Sequence, residues 1–134
     1  MTSADVLRRR VREKLQEQRA MTLALLRLRE QLGGSLFSRY GECGKEACAC
    51  RQGQKHGPYW VLSTRSGGKG GFSYLSAEAA AEAKALVDRY RAFKSGLRRL
   101  RRLNGEIVML LRRYQAAMSR QGGQRLGVSA SISS

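Results

Sequence analysis

The chain has 134 residues, of which 26 are lysine or arginine and 10 are aspartate or glutamate, giving a formal net charge of +16. This length suits one domain with a modest core and excludes a large core. So basic a chain attracts polyanions and repels copies of itself, which makes nucleic acid the first partner to consider and an anionic membrane the second.

A membrane-spanning or leader segment is not predicted. The apolar run "AMTLALL" at residues 20–26 is too short for a span and lies too deep in the chain for a secretory signal. We therefore expect a cytoplasmic protein that does not enter a membrane. In a reducing compartment, clustered cysteines are more naturally metal ligands than disulfide partners.

The first predicted element is an amphipathic helix over residues 4–32. This segment lacks proline and glycine, and Gly33 and Gly34 follow it. Steps of four and three residues connect Leu7, Val11, Lys14, Gln18, Met21, Leu25, Leu28 and Leu32. The spacing is typical of a helix with one buried face, and the two glycines are a plausible end signal.

Residues 35–75 form the second predicted element, a small β module. The stretches "SLFSRY", "PYWVLS" and "FSYL" have the aromatic and β-branched composition of strands, and "TRSGGKGG" has that of a hairpin loop. We expect a small antiparallel sheet.

A long heptad-patterned helix is predicted over residues 76–118, with Ser76 as its N-cap and Glu78 in its first turn. Its apolar stripe is Ala79, Ala83, Leu86, Tyr90, Phe93, Leu97, Leu100, Asn104, Ile107, Leu111, Tyr114 and Met118. Gly96 and Gly105 interrupt the stripe and indicate bends or close approaches. Residues 119–134 are small, polar and aperiodic, and we expect a disordered tail.

Together these elements predict a mainly α protein in which two long helices, as an antiparallel hairpin or coiled coil, bracket a short β-sheet. The second stripe is longer than the first, which favours a homodimer or another coiled-coil partner. Asn104 has two interpretations that both stay open: a polar residue that fixes register in a coiled coil, or a mark of the helix end or a kink.

The sharpest motif places the chain's only cysteines and only histidine in one window. Cys43, Cys48, Cys50 and His56 have the spacing C-x4-C-x-C-x5-H. Three thiolates and one imidazole make a closed tetrahedral set for Zn²⁺, which is the pattern of a structural site. A three-stranded sheet is marginal alone, so we expect a zinc-stabilised module.

Two other interpretations of the cysteines remain. They could be buried free thiols beside a capping histidine, or they could hold an iron–sulfur cluster or act in thiol redox chemistry. The sequence has no C-x-x-C pair, which argues against the interpretation as a thiol redox site.

The stretch "CGKEACACRQGQKHGPYWVLS", with "SLFSRY" before it and "RYRAFKSGLRRLRRLN" after it, resembles a family of small uncharacterised bacterial proteins. Their core has the form C-G-K-x-x-C-x-C-x-x-G-x-x-H-G-P-Y and precedes a long helix, and the resemblance covers residues 34–104. Members are often encoded near transposases. The resemblance thus implies an accessory role in nucleic-acid transactions, linked to a mobile element and with a transposase-type enzyme as a partner.

Charge and aromatic residues indicate where nucleic acid would bind. Arginine pairs bidentately with phosphate, and exposed aromatic rings stack on bases. The candidate contacts are Arg98, Arg99, Arg101, Arg102, Lys55, Arg65, Lys69 and Tyr59. Of the strand aromatics Tyr59, Trp60, Phe72 and Tyr74, one or two are expected to face outward, and Trp60 is expected in the core.

Catalysis is not predicted, because one histidine already assigned to metal leaves no general base. The sequence predicts a zinc-stabilised basic nucleic-acid-binding accessory protein and leaves open DNA or RNA. The alternative is a coiled-coil adaptor that docks an acidic protein, and a third possibility is an iron–sulfur or thiol redox sensor. These three classes differ in salt-dependent nucleic-acid binding and in metal content.

Overall fold

The structure is a computed structural model that describes residues 2–41, 53, 56–66 and 69–129. It is mainly helical with one three-stranded antiparallel sheet, as predicted. The elements are α1 (Ser3–Leu26), β1 (Gly34–Gly41), β2 (His56–Ser66), β3 (Lys69–Leu75) and α2 (Ala77–Leu126). The chain forms two units: Leu28–Lys94 contains the sheet, and Met1–Arg27 with Ser95–Ser134 forms a helical pair.

In the sheet unit, the strands lie in the order β1-β2-β3, and one face of the sheet packs on the first turns of α2. Alternation along the strands places Leu36, Leu62 and Leu75 on this face. Leu62 forms the core with Ala83 and Val87, which are four residues apart and so lie on one side of the helix. The core is small, and one helix covers one side of the sheet.

The start of β2 contains a bulge beside β1. Arg39 pairs with Tyr59, but Gly41 pairs with His56, so β2 has one extra residue there. Gly57 is required at this point: its φ is +141°, and a Cβ would lie 2.8 Å from Cδ1 of Tyr40. The bulge holds the two ends of the segment 42–55 together at one end of the sheet.

The first helix ends at Leu26, not at Leu32 as predicted. Its N-terminus has a capping box in which Thr2 and Asp5 exchange hydrogen bonds, and these bonds from Thr2 lower the pKa of Asp5. Beyond Leu26, the backbone N–H of Leu32 does not bond within a helix but donates to the Leu86 carbonyl of α2 at 3.1 Å. Leu32 also packs against the sheet core. Tertiary contacts within the sheet unit therefore override the helical pattern of residues 28–32.

In the helical unit, α1 runs antiparallel to the part of α2 that begins at Ser95. Leu25 contacts Gly96, the Lys14 ammonium lies 2.9 Å from the Glu106 carboxylate, and Arg8 donates to the Tyr114 hydroxyl at 2.7 Å. The contact with Glu106 raises the pKa of Lys14. The buried apolar residues of the pair are Ala4, Leu7, Leu25, Leu103, Ile107, Leu110 and Ala117.

The predicted stripe of α2 is divided in the structure. Ile107 is buried in the helical pair, but Leu97 and Leu111 are 41% and 46% exposed, and Asn104 is exposed as well. The buried line runs instead through Leu103, Ile107, Leu110 and Ala117. The helix continues through Asn104, which therefore does not mark its end. The predicted stripe lies between a face that packs on α1 and a face that is exposed.

The second helix extends beyond the predicted end at Met118 to Leu126, so residues 119–126 are not a disordered tail. Gly127 has a φ of +69° and donates to the Gln124 carbonyl, while the Val128 N–H donates to the Gly123 carbonyl at 2.8 Å. This pair of bonds is a Schellman motif. The glycine that ends the helix is thus Gly127, and Gly123 lies inside the last turns. Residues 130–134 of the predicted tail lie outside the described residues.

No helix among the described residues is long and apolar enough to cross a membrane.

The two glycines in α2 provide a matched test of the helical pair. A Cβ at Gly96 would collide with the Leu25 side chain, whereas one at Gly105 would meet nothing within 4 Å. We expect Gly96→Val to lower the free energy of unfolding by roughly 1–3 kcal/mol through overpacking. Gly105→Val should change it by less than about 0.5 kcal/mol. Urea unfolding followed by circular dichroism measures both, and equal effects would contradict the packing described.

Candidate nucleic-acid interface

The sheet face opposite the Leu62 core gathers aromatic and basic side chains from all three strands. We call it the outer sheet face. Strand pairing aligns its residues in rows: Arg39 with Tyr59, then Phe37 with Val61 and Tyr74, then Ser35 with Ser63 and Phe72, and finally Arg65 beside Gly70. Alternation places every one of these side chains on the same side.

Four aromatic rings on the outer sheet face are accessible to solvent. Phe72 is 72% exposed, Tyr74 62%, and Phe37 and Tyr59 are each 40% exposed. Between Phe37 and Tyr74, Val61 is buried. Large aromatic side chains normally bury their area, so four exposed rings on one small face indicate a binding surface.

The charge on this face has one sign. The Arg39 guanidinium lies over the Tyr74 ring at 5.7 Å from its centroid, and Arg65 is exposed at the end of β2. No aspartate or glutamate belongs to the described rows of the face. A guanidinium stacked on an aromatic ring keeps its hydrogen-bond donors available, so this arrangement can bind a planar base together with a phosphate.

The predicted strand contacts whose side chains are described both lie on one face of the sheet. Tyr59 and Arg65 lie on the outer sheet face. Trp60, which was expected in the core, pairs with Leu75 and is half-buried on the side of α2, but it does not belong to the Leu62 core cluster. Lys69 begins β3, but its side chain lies outside the described part of the chain, as does Lys55.

Two residues of the outer sheet face were missed from the sequence, Phe37 and Arg39. Both lie in a strand that was predicted, and alternation puts them on one side of it. Whether they lie on the same face as Tyr59 depends on the β1–β2 register, in which Arg39 pairs with Tyr59 and Phe37 with Val61. The sequence alone does not give this register, so it could not assign Phe37 and Arg39 to the face of Tyr59.

The predicted arginine row lies on α2 within the helical unit. All four residues of the row, Arg98, Arg99, Arg101 and Arg102, are exposed. Arg99 and Arg102 line a groove that also contains Glu17 and Glu106, whose carboxylates lie 3.7 Å and 2.9 Å from Lys14. Arg98 and Arg101 do not line this groove. They are therefore better placed than Arg99 and Arg102 to bind an external phosphate.

Of the predicted zinc ligands, only His56 belongs to the described residues; Cys43, Cys48 and Cys50 lie outside them. His56 begins β2 and pairs with Gly41, the last residue of β1. The segment that contains the cysteines therefore leaves and re-enters the sheet at adjacent positions. Such a closed segment can supply several ligands to one ion, with the histidine on a fixed strand.

A comparison with protein families matches residues 6–85 to a domain of unknown function, DUF6788. No curated protein and no solved structure matches the chain. The matched residues include the whole outer sheet face and the cysteine segment, whereas the arginine row of α2 lies beyond them. Since the match covers more than half of the chain, this protein belongs to the DUF6788 family.

Proposed function

We propose that this protein is a zinc-stabilised, basic nucleic-acid-binding accessory protein whose outer sheet face stacks on unpaired bases. The observation that supports this most directly is a group of four exposed rings on the outer sheet face, Phe37, Tyr59, Phe72 and Tyr74. The Arg39 guanidinium lies over one of them, the ring of Tyr74. Aromatic side chains on a sheet are a common platform for single strands, because every base presents a π-face.

The spacing of the rings suits separated bases. Neighbouring strands lie about 4.8 Å apart, and residues on the same face of one strand lie about 7 Å apart. Bases in a duplex are stacked on one another, so rings at this spacing cannot insert between them without unstacking. In a single strand this cost is smaller, because its bases are only partly stacked and are not paired. The outer sheet face therefore favours single strands over duplexes.

Charge supplies the part of the affinity that does not depend on sequence. The formal net charge is +16, and Arg98 and Arg101 lie on the exposed surface of α2. Cations that bind phosphates release condensed counterions, which makes the affinity fall with salt. Stacking on the outer sheet face should respond much less to salt, so the two contributions can be separated by titration.

Zinc is proposed to hold the segment between β1 and β2 through Cys43, Cys48, Cys50 and His56. The closed geometry at Gly41 and His56 supports this, because it places the histidine at the mouth of the segment. The metal would act structurally, since four protein ligands fill its coordination sphere. No catalytic role is proposed.

A second candidate function, the docking of an acidic protein, is favoured by one observation. Leu97, Val108 and Leu111 form an exposed apolar stripe on α2, which also includes Asn104. The exposed Arg101 and Arg112 flank this stripe at helical spacing. An acidic amphipathic helix would complement it better than a second copy, because two copies of this chain repel each other. A homodimer and a transposase-type partner stay predictions.

The outer sheet face can be tested by truncating one ring. Tyr74→Ala should weaken binding to a single-stranded oligonucleotide by roughly 1–3 kcal/mol, with little change in the salt slope. Tyr74→Phe keeps the ring and should bind like the wild type. Fluorescence anisotropy with single-stranded and duplex DNA and RNA over a range of salt measures both. If wild type binds none of these at low salt, the docking of an acidic protein takes the place of this function.

The arginine row has the opposite signature. Replacing Arg98, Arg99, Arg101 and Arg102 together by glutamine should flatten the dependence of log K on log salt by as much as about 0.9 per lost phosphate contact on duplex DNA. Since Arg99 and Arg102 share a groove with two glutamates, we expect Arg98 and Arg101 to account for most of this change. The double variants Arg98→Gln/Arg101→Gln and Arg99→Gln/Arg102→Gln test the division, and equal slopes would argue against it.

The zinc site predicts about one equivalent of metal in purified protein. Cys48→Ser should remove the metal and expose the segment 42–55 to proteolysis while the helix content stays close to that of the wild type. Elemental analysis and limited proteolysis measure these effects. Metal-free protein after gentle purification, or a variant that resists protease as the wild type does, would refute the site.

A further inference from the structure

A cleft opens in the sheet unit because one row of the sheet lacks large side chains. On the side that faces α2, one row contains Ser38, Trp60 and Leu75, and the next contains Leu36, Leu62 and Ser73. Leu62 belongs to the small core, and Leu36 and Leu75 pack against it. The next row is Gly34, Thr64 and Gly71. Two glycines and a threonine do not fill the space below the helix, so packing stops at this row.

The glycine at position 34 is required by packing, whereas the one at position 71 is not. A Cβ on Gly34 would lie 2.5 Å from the Ser63 carbonyl oxygen, a distance that real side chains do not adopt. A Cβ on Gly71 would meet nothing within 4 Å. Gly71 therefore faces open space, and a side chain there would project into the cleft without disturbing the backbone.

The cleft has a volume of about 670 Å³ and three basic residues in its lining. Arg91 and Lys94 come from the turn of α2 that follows the core residues Ala83 and Val87. Arg65 belongs to the lining at the end of β2, with its side chain on the outer sheet face. The lining contains no aspartate or glutamate, and none of the three cations forms a salt bridge within the described residues. Arg91 and Lys94 lie three residues apart on α2, and two neighbouring cations without a counter-charge in the lining attract an anion.

The rest of the lining fits a nucleotide better than a bare anion. Tyr90 lines the cleft from α2, and Thr64 lines it from the side of the sheet that faces α2. Ser35, Ser63 and Phe72 also belong to the lining, with their side chains on the outer sheet face. Lys94 lies 5.7 Å from the centre of the Tyr90 ring, so charge and aromatic surface adjoin. A volume of this size lies within the range of small-molecule sites and accommodates one base, sugar and phosphate.

We propose that this cleft binds a nucleotide with a terminal phosphate monoester, supplied by the end of a single strand. The cations would bind the phosphate, which has more charge and more free oxygens at a strand end than inside a strand. Phe72 lines the cleft and has its ring on the outer sheet face, so the two surfaces adjoin at this residue of the edge strand β3. The strand end as the source of the ligand rests on the proposed function; a free mononucleotide has the same chemistry.

The test uses the full-length protein and isothermal titration calorimetry with unlabelled eight-nucleotide oligothymidylates. One has a 5′-phosphate, one a 3′-phosphate and one no terminal phosphate; thymidine 5′-monophosphate and thymidine form a second pair. We expect one phosphorylated end to tighten binding by about tenfold or more, as charge-assisted hydrogen bonds require. Tighter binding of the monophosphate alone, without an effect on the oligonucleotides, assigns the site to a free nucleotide and overturns the strand-end source.

Two variants assign the effect to the cleft. Gly71→Leu keeps every charge and fills the space, and Arg91→Gln/Lys94→Gln removes two cations. Both should abolish the preference for the terminal phosphate. The matched controls are Gly105→Leu, which adds the same side chain where a Cβ meets open space, and Arg120→Gln/Arg125→Gln, which removes the same charge elsewhere. Both controls should retain the preference, and circular dichroism checks that all four variants fold.

The outcomes separate this site from the proposed function. Equal affinity of wild type for all three oligonucleotides and no preference for the monophosphate would overturn the cleft and leave the proposed function standing. A preference that persists in both cleft variants would also overturn it, because net charge alone would then explain it. If no oligonucleotide binds at low salt, the proposed function fails, whereas a monophosphate preference lost in Gly71→Leu would still support the cleft.

Discussion

The sheet unit is governed by one constraint: a three-stranded sheet has two faces, and a single stretch of helix covers one of them. The covered face needs only small and aliphatic residues, and the core is accordingly built on Leu62, Ala83 and Val87. No helix of the described part of this unit covers the other face, where only the central Val61 is buried among the described side chains. Its four aromatic rings are therefore exposed, although rings of this size contribute most to stability when they are buried. The exposure of these rings favours a ligand-binding role for this face.

Sequence reasoning recovered the element types because each has a local cause. The strands follow from aromatic and β-branched runs between glycines, and the helices follow from their heptad spacing. It failed at α1, where Leu32 contacts the sheet core and its amide binds the Leu86 carbonyl, a partner more than fifty residues away. At the end of α2, the pair Gly122 and Gly123 imitates a stop signal, yet the cap is at Gly127. Periodicity does not distinguish such cases, because the competing bonds are set elsewhere in the chain.

The candidate sites show the same division. Tyr59 and Arg65 were found because of their residue types, whereas Phe37 and Arg39 became visible only through the register of β1 and β2. The cleft was not predictable, because it depends on strand pairing that puts Gly34 of β1 and Gly71 of β3 in one row, on either side of Thr64. The family match ends at residue 85, so the outer sheet face lies within the region shared with the family. The arginine row of α2 and the cations Arg91 and Lys94 lie beyond it. The proposed stacking surface therefore lies inside the family region, and the proposed phosphate contacts on α2 lie outside it.

The two units also differ in how they can form as the chain is made. Leu28–Lys94 is one continuous segment, and its strands pair only with neighbours in sequence. The helical pair joins residues 106 positions apart, as Arg8 and Tyr114 show. Contacts between distant residues require a larger loop to close, and a chain emerges from the ribosome N-terminus first. All residues of the sheet unit are therefore synthesised before the last residues of α2 that pack on α1. Until then, the apolar face of α1 has to remain soluble without them.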